Sequence, residues 1–130
     1  MNKILNSNQK GQALITLLFF VAIATIVTSA AVIILYDNSL STARLSEGTK
    51  SYYLSESGIE NALLRIIRDP TYAGEIISLP EGDITIQVTN NSGIYTINSE
   101  STVGDSIRQT EVTADYSSAI LTITSWKEMY

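Results

Sequence analysis

Carboxylates are the most numerous ionisable side chains in this 130-residue chain, thirteen in all, and its composition removes most other chemistry. Cysteine and histidine are both absent. A disulfide framework and a Cys/His zinc site are therefore excluded, and the commonest general base is missing. Nine of the acids fall in residues 69–130, where only Arg108 and Lys127 oppose them, a net charge of −7. They are scattered, with no D-x-D-x-D-G loop to gather them, and read as a solvated acidic surface. The whole-chain charge of −5 argues against a duplex-binding protein, so no nucleic-acid partner is expected. There is no G-x-S-x-G, no H-E-x-x-H, no P-loop and no Gly-rich dinucleotide turn. A Ser–Lys dyad or a carboxylate pair stays open on residues alone, but no serine or acid stands in a recognisable setting. Neither catalysis nor a cofactor is expected.

The elements that carry these residues are sharply unequal. Residues 13–36 contain 20 apolar side chains in 24 and no charge, whereas residues 37–130 hold 35 in 94. As a helix the apolar stretch reaches roughly 36 Å, enough to cross a hydrocarbon core of about 30 Å. Its four polar members, Thr16, Thr25, Thr28 and Ser29, can bond back to the helix's own carbonyls. Tyr36 stands where an interfacial aromatic belongs. Lys3 and Lys10 precede the stretch and Asp37 is the first charge after it, which places the N-terminus in the cytoplasm and the remainder outside. Thr28-Ser29-Ala30-Ala31 imitates a secretory cleavage site, yet the apolar run continues through Leu35. The plain reading of such a segment is an uncleaved single-pass anchor carrying an extracytoplasmic β-rich binding domain.

The leader MNKILNSNQKG is polar and ends in a Lys-Gly step directly before the apolar run. Lys10-Gly11-Gln12-Ala13-Leu14-Ile15 resembles the processing site of type IV prepilins and pseudopilins. The resemblance implies that a membrane-bound prepilin peptidase cuts after Gly11 and leaves the apolar helix on the mature protein, its new N-terminus usually methylated. Glycine, lacking a Cβ, suits an extended and close-fitting protease site. Two positions depart from the pattern. Gln12 follows the cut where many major pilins carry Phe or Met. Thr16 stands fifth in the mature chain, where major pilins carry a glutamate that pairs with a neighbouring subunit's terminal amine. A carboxylate at that depth costs about 2.5–3.5 kcal/mol, and Thr16 cannot form the pair. Within the family this absence resembles minor, tip-type components; a lineage that simply uses a hydroxyl there is the other reading.

A second segment adds to the resemblance. Ser51-Tyr52-Tyr53-Leu54-Ser55-Glu56-Ser57-Gly58-Ile59-Glu60-Asn61-Ala62-Leu63 is similar to the aromatic-x-A-E-[SA]-G-x-E-x-A-L segment of tip-group minor pilins. Glu56, Gly58, Glu60, Ala62 and Leu63 match, and Ser55 replaces the usual alanine. The implied partners are other pilin subunits, the prepilin peptidase, a pilus or secretion assembly platform and the membrane. The implied location is the cytoplasmic membrane, single-pass with the N-terminus inside, and then an extracellular filament. Residues 1–11 are the leader, 12–36 the transmembrane and filament-core helix, and 37–130 the outer domain. In the filament the helix would pack against its neighbours, with Ala22, Ala24, Ala30 and Ala31 allowing close approach. Glu56 is either an intersubunit contact or a carboxylate at the stripe's edge reaching water. Some pseudopilins bind calcium, for which Glu81, Asp83, Asp105 or Asp115 would be candidates.

The helical pattern is unbroken from the apolar run to Asp69-Pro70, which predicts one helix over 14–68. Leu45, Tyr52, Ile59 and Ile66 recur every seven residues, joined by Thr49, Glu56 and Leu63 on the same face. Gly48 and Gly58 are the expected bends. From residue 76 the period falls to 2, and four runs around Ile84–Thr89, Ile94–Ile97, Arg108–Tyr116 and Ala119–Trp126 predict an antiparallel meander. Residues 69–82 are expected to be a connection. The fold class is therefore α+β: a long N-terminal helix, transmembrane then amphipathic, packed on a four-stranded antiparallel sheet. Asn90-Asn91-Ser92 matches a glycosylation pattern, although turn chemistry already explains it. Trp126 is expected to complete the core, with the tail Lys127–Tyr130 as a partner-contacting edge in the other reading.

Overall fold

A computed structural model of the chain describes residues 5–129, with side chains from residue 11 onward. The order is α1 (Leu5–Arg68), β1 (Gly74–Leu79), β2 (Gly82–Asn91), β3 (Ile94–Val103), β4 (Ser106–Ser117) and β5 (Ile120–Met129). The α+β class holds, with five strands instead of four. The chain divides into two compact units, Met1–Ser41 and Thr42–Tyr130, and α1 belongs to both.

In the first unit the helix begins at Leu5, nine residues before the expected 14. No proline interrupts the polar leader, and Gly11, at about 1 kcal/mol in a helix interior, does not stop it. Residues 1–4 of the leader and the side chain of Lys10 lie outside the described residues. From Gly11 to Ser41 the helix is exposed on every side, and it is long and apolar enough to cross a membrane.

In the second unit the strands form one meander in the order β1-β2-β3-β4-β5, every neighbouring pair antiparallel. Each connection is a two-residue loop. Ser92-Gly93 takes positive φ at both positions, the twist a tight hairpin needs, and the Asn90 side chain accepts from Gly93 N at 3.0 Å. Ser118-Ala119 adopts the same conformation without a glycine.

β1 corrects the expected connection. Adjacent Ile76 and Ile77 break the period-2 alternation, so nothing local announces a strand. Its conformation comes from pairing with β2, Gly74 opposite Gln87 through Leu79 opposite Gly82. The connection is confined to residues 69–73. Asp69 accepts from Thr71 N at 2.9 Å and Thr71 Oγ1 at 2.6 Å, and Tyr95 donates to Pro70 O at 2.9 Å.

The core lies between the Thr42–Arg68 half of α1 and one face of the sheet. Ile59, Ala62 and Ile66 pack with Ile84, Ile86, Val88, Tyr95, Ile97 and Val112. Each large aliphatic buried there contributes about 1.5–3 kcal/mol. The helix runs antiparallel to β3: Glu47 lies beside Gly104, Ser51 bonds Ser101, Gly58 meets Ser99, and Pro70 receives Tyr95.

Two expectations fail here for one reason, the way the helix seats on the sheet. The buried face in its upper turns is Gly48, Ser51, Ser55 and Gly58, so Leu45 is 73% exposed, Thr49 is exposed, and Tyr52 and Leu63 are only half-buried. Gly48 and Gly58, the expected bends, both lie buried on this face of α1. Trp126 does not complete the core. It sits opposite Val112 on the helix-side face, but on the edge strand, beyond the helix's cover, and remains 42% exposed.

Candidate functional site

Two regions carry the features singled out by the sequence. The first is the apolar length of α1. Gly11 is exposed with no atom near the place a Cβ would occupy, and the Gln12 carbonyl accepts from Thr16 Oγ1 at 3.0 Å. Thr16 thus spends its hydroxyl on its own helix. The other three polar side chains do likewise: Thr25 donates to Ala22 O at 2.8 Å, Thr28 to Ala24 O at 2.9 Å, and Ser29 to Thr25 O at 2.7 Å. With their hydrogen bonds met inside the helix, these hydroxyls ask nothing of the surroundings. Ala22, Ala24, Ala30 and Ala31 are all exposed on this surface. Ala22 borders a shallow apolar hollow with Leu14, Leu17, Leu18 and Val21, and Ala30 borders another with Ile26 and Ile33.

The second region is the contact between Thr42–Arg68 and the sheet. Its upper half is a polar seam of small residues. Ser51 Oγ lies 2.8 Å from Ser101 Oγ and donates to Ser101 O at 3.0 Å, while Ser101 Oγ donates to Ser51 O. Ser55 Oγ is 2.8 Å from Thr110 Oγ1. All four side chains are buried, so each hydrogen bond replaces water fully. Ser99 Oγ, buried against Gly58, has no partner. Spacing hinted at this seam: Ser51, Ser55 and Gly58 recur at the i, i+4, i+7 positions of one helix face. A search for apolar periodicity passes over them because none is apolar.

Glu56 lies half-buried beside the seam and accepts from Tyr52 OH at 2.6 Å. That hydrogen bond, followed by burial, raises the Tyr52 phenol above its ordinary value. No ion pair to Glu56 occurs among the described residues. A groove of about 490 Å³ opens alongside, lined in part by Arg44, Thr49, Tyr53 and Arg108, the last bonded to Glu128 at 3.2 Å. At the other end Arg65 pairs with Glu75 at 2.9 Å and lies over the Tyr72 ring at 5.6 Å. Burial, then the bond to Glu75, pushes the Tyr72 phenol up to about 12. Hydrogen bonds from Thr71, side chain first and then backbone, hold the Asp69 carboxyl below its usual range.

The calcium candidates are not gathered. Glu81 and Asp105 sit in different hairpin loops, Asp83 and Asp115 on β2 and β4, and no three acids come together among the described residues. The architecture, a long apolar N-terminal helix whose later half packs on an antiparallel meander, is pilin-like. No family model, curated protein or solved structure matches this chain.

Proposed function

We propose that this chain is a filament subunit of the type IV pilin class, a minor pilin or pseudopilin, trimmed after Gly11 and assembled through its apolar helix. The observation that carries the reading is the division of α1. Gly11–Ser41 is exposed all round with its threonine and serine side chains bonded internally, whereas Thr42–Arg68 is committed to a sheet. A helix of the first kind is stable in lipid and equally stable among other apolar helices, so passage between the two exposes no polar group. Ala22, Ala24, Ala30 and Ala31 let neighbouring backbones approach. Thr16, its hydroxyl satisfied by Gln12, offers no charge to a neighbour's terminal amine, which favours a minor position over the filament shaft.

The test is at Gly11. Mass spectrometry of the protein from its native membrane should find a mature chain beginning at Gln12, and Gly11→Ala should leave the precursor intact. A full-length chain in cells with an active prepilin peptidase would refute the filament reading and favour a single-pass anchor.

A further inference from the structure

Among the described residues β5, like β1, is an unpaired sheet edge, but the two differ in length and composition. β1 has six residues, is followed by Pro80, and carries Glu75 tied to Arg65. β5 has ten residues without proline or glycine, and its only charges, Lys127 and Glu128, lie at one end. It exposes Ile120 (64%), Ile123 (46%), Trp126 (42%) and Met129 (38%). Lys127 and Glu128, tied to Glu111 and Arg108 of β4, guard only one end of this edge, and a long edge with four exposed apolar side chains is what folded proteins avoid unless something pairs with it.

The register of β4 with β5 indicates what pairs. Thr113 opposes Ser125 and Ala114 opposes Ile123, so Thr124 is a bulge and donates to Thr113 O at 3.0 Å. The alternation of β5 therefore changes phase at Thr124. Leu121, Ile123, Trp126 and Glu128 oppose Tyr116, Ala114, Val112 and Thr110 on the helix-side face; Ile120, Thr122, Ser125, Lys127 and Met129 lie on the other. An antiparallel copy with its twofold axis between Thr124 and Ser125 pairs all ten residues. Ile123 then meets Trp126, Ile120 meets Met129, Thr122 meets Lys127 and Leu121 meets Glu128, with each of these pairs on a common face. No like charges oppose one another. A slip of one residue sets helix-side residues against outer-face ones.

We propose that β5 is a homotypic contact, pairing antiparallel with β5 of a second copy about that axis to join two five-stranded sheets. The interface is isologous, with Ile123 and Trp126 of both copies as its central apolar cluster. Within Thr42–Tyr130 the helix runs antiparallel to β3, and hence to β5. A twofold axis normal to the sheet reverses it, so the two Thr42 ends leave from opposite ends of the joined sheet.

The chain has no cysteine, so single thiols report the register without background. Full-length Thr122→Cys and Lys127→Cys proteins are mixed in detergent micelles and mildly oxidised. Disulfide-linked dimers should form between the two variants, and adding Trp126→Lys or Ile120→Lys to both should lower their yield by about tenfold or more. Circular dichroism of the two lysine variants should match the parent, so that a lower yield reports the contact and not misfolding. Absence of the cross-link, or an unchanged yield in the lysine variants, would overturn the proposal. Processing after Gly11 in Trp126→Lys is read separately in the native membrane, so the loss of one reading leaves the other standing.

Discussion

Gly58→Ala measures how closely the helix is seated on the sheet. A Cβ built there falls 2.1 Å from Ser99 Oγ, 2.8 Å from Ile84 Cγ2 and 3.2 Å from Ser99 Cβ. The Ser99 hydroxyl has no partner to lose and can rotate away, but the Ile84 methyl and Ser99 Cβ belong to the packed face. Overpacking of this kind costs about 1–3 kcal/mol, occasionally more. Alanine recovers about 1 kcal/mol of helix propensity. The two nearest contacts are far inside van der Waals range, so the steric cost lies at or above the top of its range and the net loss is about 2 kcal/mol. Gly48→Ala is the internal control, because its nearest neighbours, Arg108 and Ser106, stand 3.6 and 3.8 Å away. It gains the propensity without the clash and should stabilise by about 0.5–1 kcal/mol. Urea unfolding of the detergent-solubilised chain, followed by Trp126 fluorescence, would show opposite shifts of midpoint for the two alanines. A Gly58→Ala protein as stable as the parent, or a Gly48→Ala protein that loses as much, would refute the close seating.

Other perturbations test the hairpin and the charged end of the helix. Ser118 and Ala119 hold φ of 54° and 63°, so replacing them with Asn-Gly should raise stability by about 1–2 kcal/mol in the same assay. Tyr72 has its phenol raised to about 12, from 10.0, chiefly by burial and then by Glu75. A pKa raised on folding gives stability that is complete below the unfolded value and disappears as pH climbs through the folded one. Alkaline unfolding should therefore steepen between those two pH values, and Tyr72→Phe should remove that increment. Asp69 has the opposite sign: its lowered carboxyl adds stability above the ordinary carboxylate pKa that is lost as pH falls through the folded value. Thr71→Val should return the Asp69 pKa toward 3.8, read by NMR titration.

The periodic parts of the fold were legible in the residue order. The membrane-length helix, its stop at Asp69-Pro70, and the hairpins at Asn90–Gly93 and Val103–Asp105 follow from local chemistry: continuous apolarity, an X-Pro step, and residues suited to tight turns. β1 was not legible, because a strand with adjacent isoleucines and a glycine start has no period of its own until β2 supplies the partner. Nor was the seating of the helix. Apolar spacing pointed rightly to Ile59 and Ile66 but also to Leu45 and Tyr52, where the sheet selected Ser51, Ser55 and Gly58 because small side chains permit the closest approach.

By itself the order of residues determined a helix apolar all round and then on one stripe, an acidic β-rich domain, and the Lys10-Gly11-Gln12 step that suggests processing. These depend on neighbours a few positions apart, where 3.6- and 2-residue periods and turn preferences act. Tertiary structure alone decided which helix face is buried, that Trp126 lies beyond the helix on an open edge, and that Thr124 shifts the faces of β5. Each of those depends on the register between segments far apart in the chain. Register is set by the summed fit of two surfaces, and neither surface carries that sum in its own sequence.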